Sequence, residues 1–197
     1  MSTNSCSTSA KLSRSAVAAL LAAWLAAWLP AVGAALPAAV PDDGAPWRQA
    51  LPQARPLGDG DLTWFGLRIY HATLWAAQRP FDPAQPFALQ LSYYRNISRS
   101  RLVNTSMDEI RRLNGSSLDD SILARWQSML TSAFVDVAAG DQLIGVYLPR
   151  QGMQLYDGHR LLAQLDDPAL ARAFFDIWLN PRSRDAGLRR QLLGAAP

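Results

Sequence analysis

The pattern of apolar and polar positions changes character twice along this chain. Ser15 to Leu29 is an apolar run of fifteen residues. From there to residue 56, alanine, proline and aspartate are mixed without a period, which reads as a linker and lead-in segment over 35–56, partly disordered. From Leu57 onward the segments take up the period of a strand or of a helix. A Gly58-Asp59-Gly60 turn precedes "LTWFGLRIYHATLW" (62–75), whose aromatic and branched residues predict two strands, or one long strand bent at Gly66. "RPFDPAQP" (79–86) is a proline-punctuated loop. In "FALQLSYY" (87–94), Phe87, Leu89, Leu91 and Tyr93 alternate with Ala88, Gln90, Ser92 and Tyr94, which predicts a half-buried strand.

Helical spacing follows. Ser98 or Ser100 caps a helix that turns Leu102, Val103, Met107, Ile110 and Leu113 inward and ends near Gly115. Ser117 caps the next, with Asp119 and Asp120 in its first turn and an apolar set of Ile122, Leu123, Trp126, Met129, Leu130 and Phe134. Residues 141–165 read as three short strands with tight turns at Arg150-Gln151-Gly152 and Asp157-Gly158. Asp167 then caps a helix with Pro168 at its first position and a broad face of Leu170, Ala171, Phe174, Phe175, Trp178 and Leu179. "RDAGLRRQLLG" is a last short helix ending at Gly194. Strands, helices, strands and helices in that order, with no βαβ alternation, predict an α+β fold: an antiparallel sheet packed against a layer of helices on one face.

The amino terminus alters the meaning of the composition. Lys11 and Arg14 precede the apolar run, and small residues follow Pro30, with cleavage sites at Val32-Gly33-Ala34 or Leu36-Pro37-Ala38. This is the layout of a secretory signal peptide over residues 1–34, and it places the product in the periplasm. An uncleaved membrane anchor is the other reading, although Pro30 and Gly33 interrupt the apolar stretch. Cleavage after Ala34 leaves 163 residues and lowers the net charge from +3 to +1. It also removes Cys6, the one cysteine, so no disulfide framework or thiol nucleophile remains. A charge this small, without a dense basic face, excludes a nucleic-acid partner.

Four blocks, "LTWFGLRIYHATLW", "LSYYRNISRSRLVNTSMDEIRRL", "AAGDQLIGVYLPRQGMQLYDG" and "LARAFFDIWLNPRSRDAGLRRQLLG", together resemble the bacterial exported branch of the chalcone isomerase-like family. The resemblance covers about Leu57 to Gly194 and implies one domain over 57–197. It also implies an open-faced β-sandwich with a ligand cleft between sheet and helices. Plant members close a chalcone into a flavanone with an arginine and a threonine on neighbouring strands and a tyrosine and an asparagine on a helix. Other members bind fatty acids. Carried onto this chain, the threonine matches Thr63 in Thr63-Trp64-Phe65-Gly66, and the tyrosine after it matches Tyr70 with two extra residues between. The arginine falls nearest to Arg55, and the asparagine matches Asn114. No tyrosine lies between Asn114 and Trp126, and Ile177 stands where plant enzymes carry a polar residue. The plant catalytic set is incomplete.

Other candidates come from the residues themselves. "LSYYRNISRSRLV" carries Arg95, Arg99 and Arg101 at a strand-to-helix junction. Arg95 can turn its planar fork to a carboxylate or enolate, with Tyr93 or Tyr94 adding a hydroxyl. Alternatively it caps junction carbonyls or pairs with Asp136 or Asp176. Arg99 and Arg101 read as solvated. Arg68 shares a face with Tyr70 in a regular strand and lies opposite Thr63. "RSRDAGLRR" reads as a surface charge run. His71 and His159 show no ligand spacing, so neither a metal nor a cofactor is expected. Three functions remain open. The favoured one is non-catalytic binding of a hydrophobic acid, such as a fatty acid, with a small molecule or lipid as partner and transient membrane association. The second is a cofactor-free isomerase or lyase acting on a chalcone-like conjugated carbonyl. The third is a structural or partner-binding envelope protein.

Overall fold

A computed structural model describes residues 44–194. The apolar run, its flanking charges and its cleavage sites lie outside the described residues. The described residues belong to one compact unit. Its six strands are β1 (Arg55–Trp64), β2 (Leu67–Ala76), β3 (Phe87–Tyr93), β4 (Gln142–Leu148), β5 (Gly152–Tyr156) and β6 (Leu161–Leu165). They pair in chain order as a single antiparallel sheet. The helices are α1 (Trp47–Ala50), α2 (Arg99–Asn114), α3 (Asp120–Ala133), α4 (Pro168–Leu179) and α5 (Ala186–Leu192). This is the α+β arrangement that the order of elements predicts, with the open face that the family resemblance implies. Among the described residues no helix is long and apolar enough to cross a membrane.

Strand periodicity sets which face the helices cover. Phe87, Leu89, Leu91 and Tyr93 of β3 are buried with Ala72 and Leu74 of β2 and with Leu143, Met153 and Leu155 beyond. Onto them α2 turns Val103, Met107, Ile110 and Leu113, and α4 turns Leu170, Ala171, Phe174, Phe175 and Trp178. Each large apolar side chain so buried contributes roughly 1.5–3 kcal/mol. Phe175 stands edge-on to Phe87 at 4.9 Å and to Tyr147 at 5.7 Å. Its ring comes so close to the sheet that a Cβ on Gly145 would sit 3.0 Å from its Cζ. At the amino end of α4, one Asp167 oxygen accepts from the Ala169 and Leu170 amides. The other accepts from Arg125 at 2.8 Å and Trp126 at 3.0 Å on α3. One carboxylate thus caps α4 and joins it to α3.

The structure departs from the sequence expectations at three places. Residues 44–54, expected as linker, pack against the outer face of the sheet. Trp47, Leu51 and Ala54 are buried there, and Trp47 meets Trp75 edge-on at 5.3 Å. Three apolar residues scattered over eight positions make a lid without a period to announce it. Gly58-Asp59-Gly60 is not a turn but the middle of β1, and the glycines are there for α5. A Cβ on Gly58 would lie 2.0 Å from the Gln191 carbonyl oxygen, and one on Gly60 would lie 2.1 Å from the Gln191 side-chain oxygen. Asp119, not Ser117, caps α3, accepting from the Ile122 amide at 2.9 Å, while Ser117 Oγ bonds back to the Asn114 carbonyl. Of the two readings offered for residues 62–75, the structure has two strands, with Phe65-Gly66 as the hairpin turn between them. Both turn residues take positive φ, 48° and 75°, as type I′ turns require. A side chain at such a φ costs roughly 1–2 kcal/mol, so Phe65 holds its place at a conformational expense.

The contact of α5 with β1 gives the first prediction. Gly58→Ala should lower unfolding free energy by about 1–3 kcal/mol, the range for overpacking, since only backbone displacement can relieve the clash. Urea denaturation within 0.5 kcal/mol of wild type, roughly the spread of neutral surface changes, would refute the close seating of α5.

Candidate functional site

Between the sheet and the helices lies a cleft of about 740 Å³, within the usual range of about 300–1,000 Å³ for ligand sites. Its floor is apolar: Leu89, Leu91, Leu143 and Leu155 from the sheet, Phe174, Phe175 and Trp178 from α4. Leu62 and Tyr70 close the β1–β2 side, and Ile97 and Leu102 the α2 side. Two phenols punctuate this surface. The Tyr70 hydroxyl accepts a hydrogen bond from Trp178 Nε1 at 2.8 Å, which leaves its own proton to donate. Tyr93, paired with Tyr70 across the ladder, is 4% exposed. Among the described residues no protein hydrogen bond reaches its hydroxyl. Burial pushes both phenols well above the ordinary tyrosine range. Both are therefore neutral donors facing an apolar cavity.

The mouth of the cleft is charged. Arg95, Arg101, Arg184 and Arg189 line it, with Asp108, Glu109 and Asp185. Glu109 is buried on α2 and holds two guanidinium groups, Arg112 at 2.8 Å and Arg184 at 2.6 Å. Asp185 caps α5 through the Leu188 amide. Arg189 Nε donates to the Leu179 carbonyl at 2.8 Å and thereby ties α5 to the end of α4. Arg95 Nε donates to the Arg68 carbonyl at 3.2 Å and makes no ion pair among the described residues. The Arg101 guanidinium, on the first turn of α2, has neither hydrogen bond nor ion pair there. Two cations thus stand beside the mouth with spare donors, enough for bidentate recognition of a carboxylate.

A β-bulge decides which polar residues reach the cleft. Leu62 pairs with Tyr70 and Thr63 with Arg68, so Ile69 is the extra residue on β2. The bulge reverses the alternation. Tyr70 points inward, but Arg68 joins the other face of the sheet. There it forms an ion pair with Asp61 at 2.8 Å, bonds the Tyr94 hydroxyl and lies 4.0 Å from the centre of the Tyr94 ring. His71 meets the same Asp61 at 2.9 Å and Asp59 at 3.4 Å. Although partial burial of Asp61 opposes it, hydrogen bonds from His71 and Tyr94 and the charge of Arg68 hold that carboxyl below the usual range. The group is a self-satisfied surface network, and nothing in it faces the cavity.

Of the residues expected at a site, the structure brings Thr63, Tyr70 and Arg95 to the cleft. Arg68 and Tyr94 are together, but on the outer face. Thr63 and Arg68, expected on opposite faces of one strand, are cross-strand partners. Arg55 begins β1, a strand's length from Thr63, and donates to the Ala54 carbonyl at 3.0 Å. Asn114 ends α2 and donates to the Ile110 carbonyl at 2.8 Å, outside the cleft lining. Asp136, considered as a partner for Arg95, instead accepts from the Arg99 amide. Sequence reasoning undervalued Arg101, and it took the Arg184–Arg189 stretch for plain surface. Glu109 carried a signal: Leu102, Ser106, Glu109 and Leu113 fall on one helical stripe, and two polar residues interrupt an otherwise apolar face. Of Tyr93 and Tyr94, either of which the sequence offers as a hydroxyl, the inward phase of β3 selects Tyr93 and turns Tyr94 outward.

The chalcone isomerase-like family model matches residues 63–194. Among solved structures, the chain is similar to an Arabidopsis thaliana fatty-acid binding protein, with a TM-score of 0.54 and 13% identity. The match covers 72% of this chain and 87% of the plant one. At that identity the likeness is one of fold. No curated protein matches the sequence.

Burial of the phenols makes a prediction in pH. Free tyrosine ionises near pH 10, so an unfolded chain gains by ionisation there while folded Tyr70 and Tyr93 stay protonated. Their contribution is intact below about pH 10 and is lost as pH rises toward the raised folded values. In ultraviolet titration, Tyr93→Phe should leave the absorbance change of the folded protein around pH 10 unaltered, as free tyrosine is half-ionised there. Loss of one tyrosine's amplitude in that range would show that Tyr93 is solvated.

Proposed function

This chain belongs to the chalcone isomerase-like family, and on that premise we propose that it is an exported, non-catalytic binding protein for a hydrophobic acid such as a fatty acid. The carrying observation is the pairing of an apolar floor with cations that have spare donors at its mouth. A long alkyl chain lies against Leu89, Leu91, Leu155, Phe174 and Trp178. Its carboxylate takes the fork of Arg101 or Arg95, and the neutral phenols of Tyr70 and Tyr93 supply further donors. The acid's charge is then matched at the rim and only its hydrocarbon is desolvated, which avoids the cost of burying an unpaired ion.

The placement of the family's reacting groups supports binding over cyclisation. Oxyanion chemistry needs preorganised donors converging on one developing charge. Arg55 and Asn114, nominated for that task, are hydrogen-bonded to backbone carbonyls away from the cleft that Thr63 and Tyr70 line. The plant fatty-acid binding protein with this fold supports the same class of ligand. Export to the periplasm is part of the proposal and rests on the charged, apolar and small-residue order of residues 11–38.

Titration of residues 42–197 with a long-chain fatty acid in a fluorescence displacement assay tests this reading. Arg101→Ala and Arg95→Ala together should weaken binding by about tenfold to a hundredfold, the worth of one charge-assisted contact. Arg55→Ala should leave binding unchanged. Equal affinity in the double variant and wild type, or turnover of a chalcone with no fatty-acid binding, would overturn the proposal.

A further inference from the structure

Six large apolar side chains are exposed on the described residues, and three of them, within four positions, sit at one hairpin tip. Trp64 is 55% exposed, Phe65 90% and Leu67 49%. Trp64 and Phe65 stand edge-on with ring centres 5.2 Å apart. Phe65 does this at a positive φ, where asparagine or glycine would sit without strain. An aromatic residue kept at a strained and exposed position contributes nothing to the core and points to a role outside the fold.

The position of the tip gives it a direction. Thr63 and Trp64 line the cleft, so the tip is the continuation of the cleft wall. Arg95 is joined to the base of the tip through the Arg68 carbonyl, and Arg101 lines the same mouth. Neither guanidinium is matched by a carboxylate among the described residues. Arg68 itself is neutralised by Asp61. An aromatic wedge with two unmatched cations behind it has the chemistry of the water–bilayer interface: rings settle among the acyl and headgroup boundary, and cations meet anionic phosphates. A hydrocarbon ligand is scarce in free solution and abundant in a bilayer, so a binding cleft gains from opening where the ligand is held.

We infer that the Trp64-Phe65-Gly66-Leu67 tip is a membrane-interface anchor that sets the mouth of the cleft against an anionic lipid surface. The inference deepens the lipid-binding reading and rests on it. The anchor is shallow and reversible: one hairpin tip and two cations provide weak attachment, which suits a protein that must collect or deliver a lipid and leave.

Vesicle flotation of residues 42–197 tests it, since this unit holds the whole of both cores and lacks the apolar leader. The unit should float with vesicles of phosphatidylcholine containing one quarter phosphatidylglycerol, and less with pure phosphatidylcholine or at raised salt. Trp64→Ser with Phe65→Ser should reduce the bound fraction about tenfold, as buried apolar area is lost from the interface. Leu161→Ser, which removes an exposed leucine elsewhere, should not. An unchanged melting temperature in the double variant shows that the tip, not the fold, was altered. Flotation that is absent, or indifferent to the double variant, overturns the anchor. So does a dimer in gel filtration that the double variant dissociates, because the tip would then dock on a second copy. Fatty-acid loading from solution is measured on the same proteins: loading without flotation sinks the anchor alone, and flotation without loading sinks the binding reading alone.

Discussion

Everything in this molecule depends on how closely α4 can approach the sheet. Its face of Phe174, Phe175 and Trp178 needs a flat place to rest, and Gly145 provides it by having no side chain. Phe175 then interlocks with Phe87 and Tyr147, and Asp167 ties the start of α4 to Trp126 and Arg125 of α3. At the β1 edge of the sheet, Gly58 and Gly60 admit α5 in the same way. The helix layer is therefore pinned at two glycine-lined seats. Between them, over the Tyr70–Tyr93 end of β2 and β3, the helices leave a gap, and that gap is the cleft.

The cleft inherits its chemistry from this arrangement. The inward phase of β3 delivers Tyr93, and Trp178 of α4 orients Tyr70. The bulge at Ile69 is as consequential as any contact. Without it, Arg68 would share the inner face with Tyr70 and place a charge on the apolar floor. With it, Arg68 leaves for the outer face and is consumed by Asp61 and Tyr94. What remains inside is hydrocarbon and neutral phenol, and the free cations are confined to the mouth. That separation of apolar floor and cationic rim favours an amphiphile with a negative head over a planar polyphenol that needs donors along its length.

Most of the fold was legible in the sequence because its signals are local. The alternation of Phe87 to Tyr94, the helical faces of α2, α3 and α4, the Asp167-Pro168 start and the Asp157-Gly158 turn each specify an element within a few residues. The family resemblance over Leu57 to Gly194 added the open-faced architecture, and the match over residues 63–194 supports it. The misreadings share one cause: they depend on contacts distant in sequence. Gly58 and Gly60 look like a turn until α5 is placed on them. Trp47 looks like linker until it meets Trp75. Arg68 and Tyr70 share a strand phase until a bulge that no residue announces divides them. For the site, Thr63, Tyr70 and Arg95 were found by motif or by junction, whereas Arg101, Arg184 and Arg189 reach the mouth only because α2 and α5 converge there.

The central claim is that the gap between the two glycine seats is a lipid-binding space, and native mass spectrometry addresses it most directly. The protein would be produced in an exporting host, purified without detergent and sprayed intact. A discrete added mass, released on denaturation as a fatty acid or similar amphiphile, is the predicted result. An unliganded mass that stays unliganded after incubation with long-chain fatty acids, in a protein that retains its folded charge-state distribution, would contradict the account.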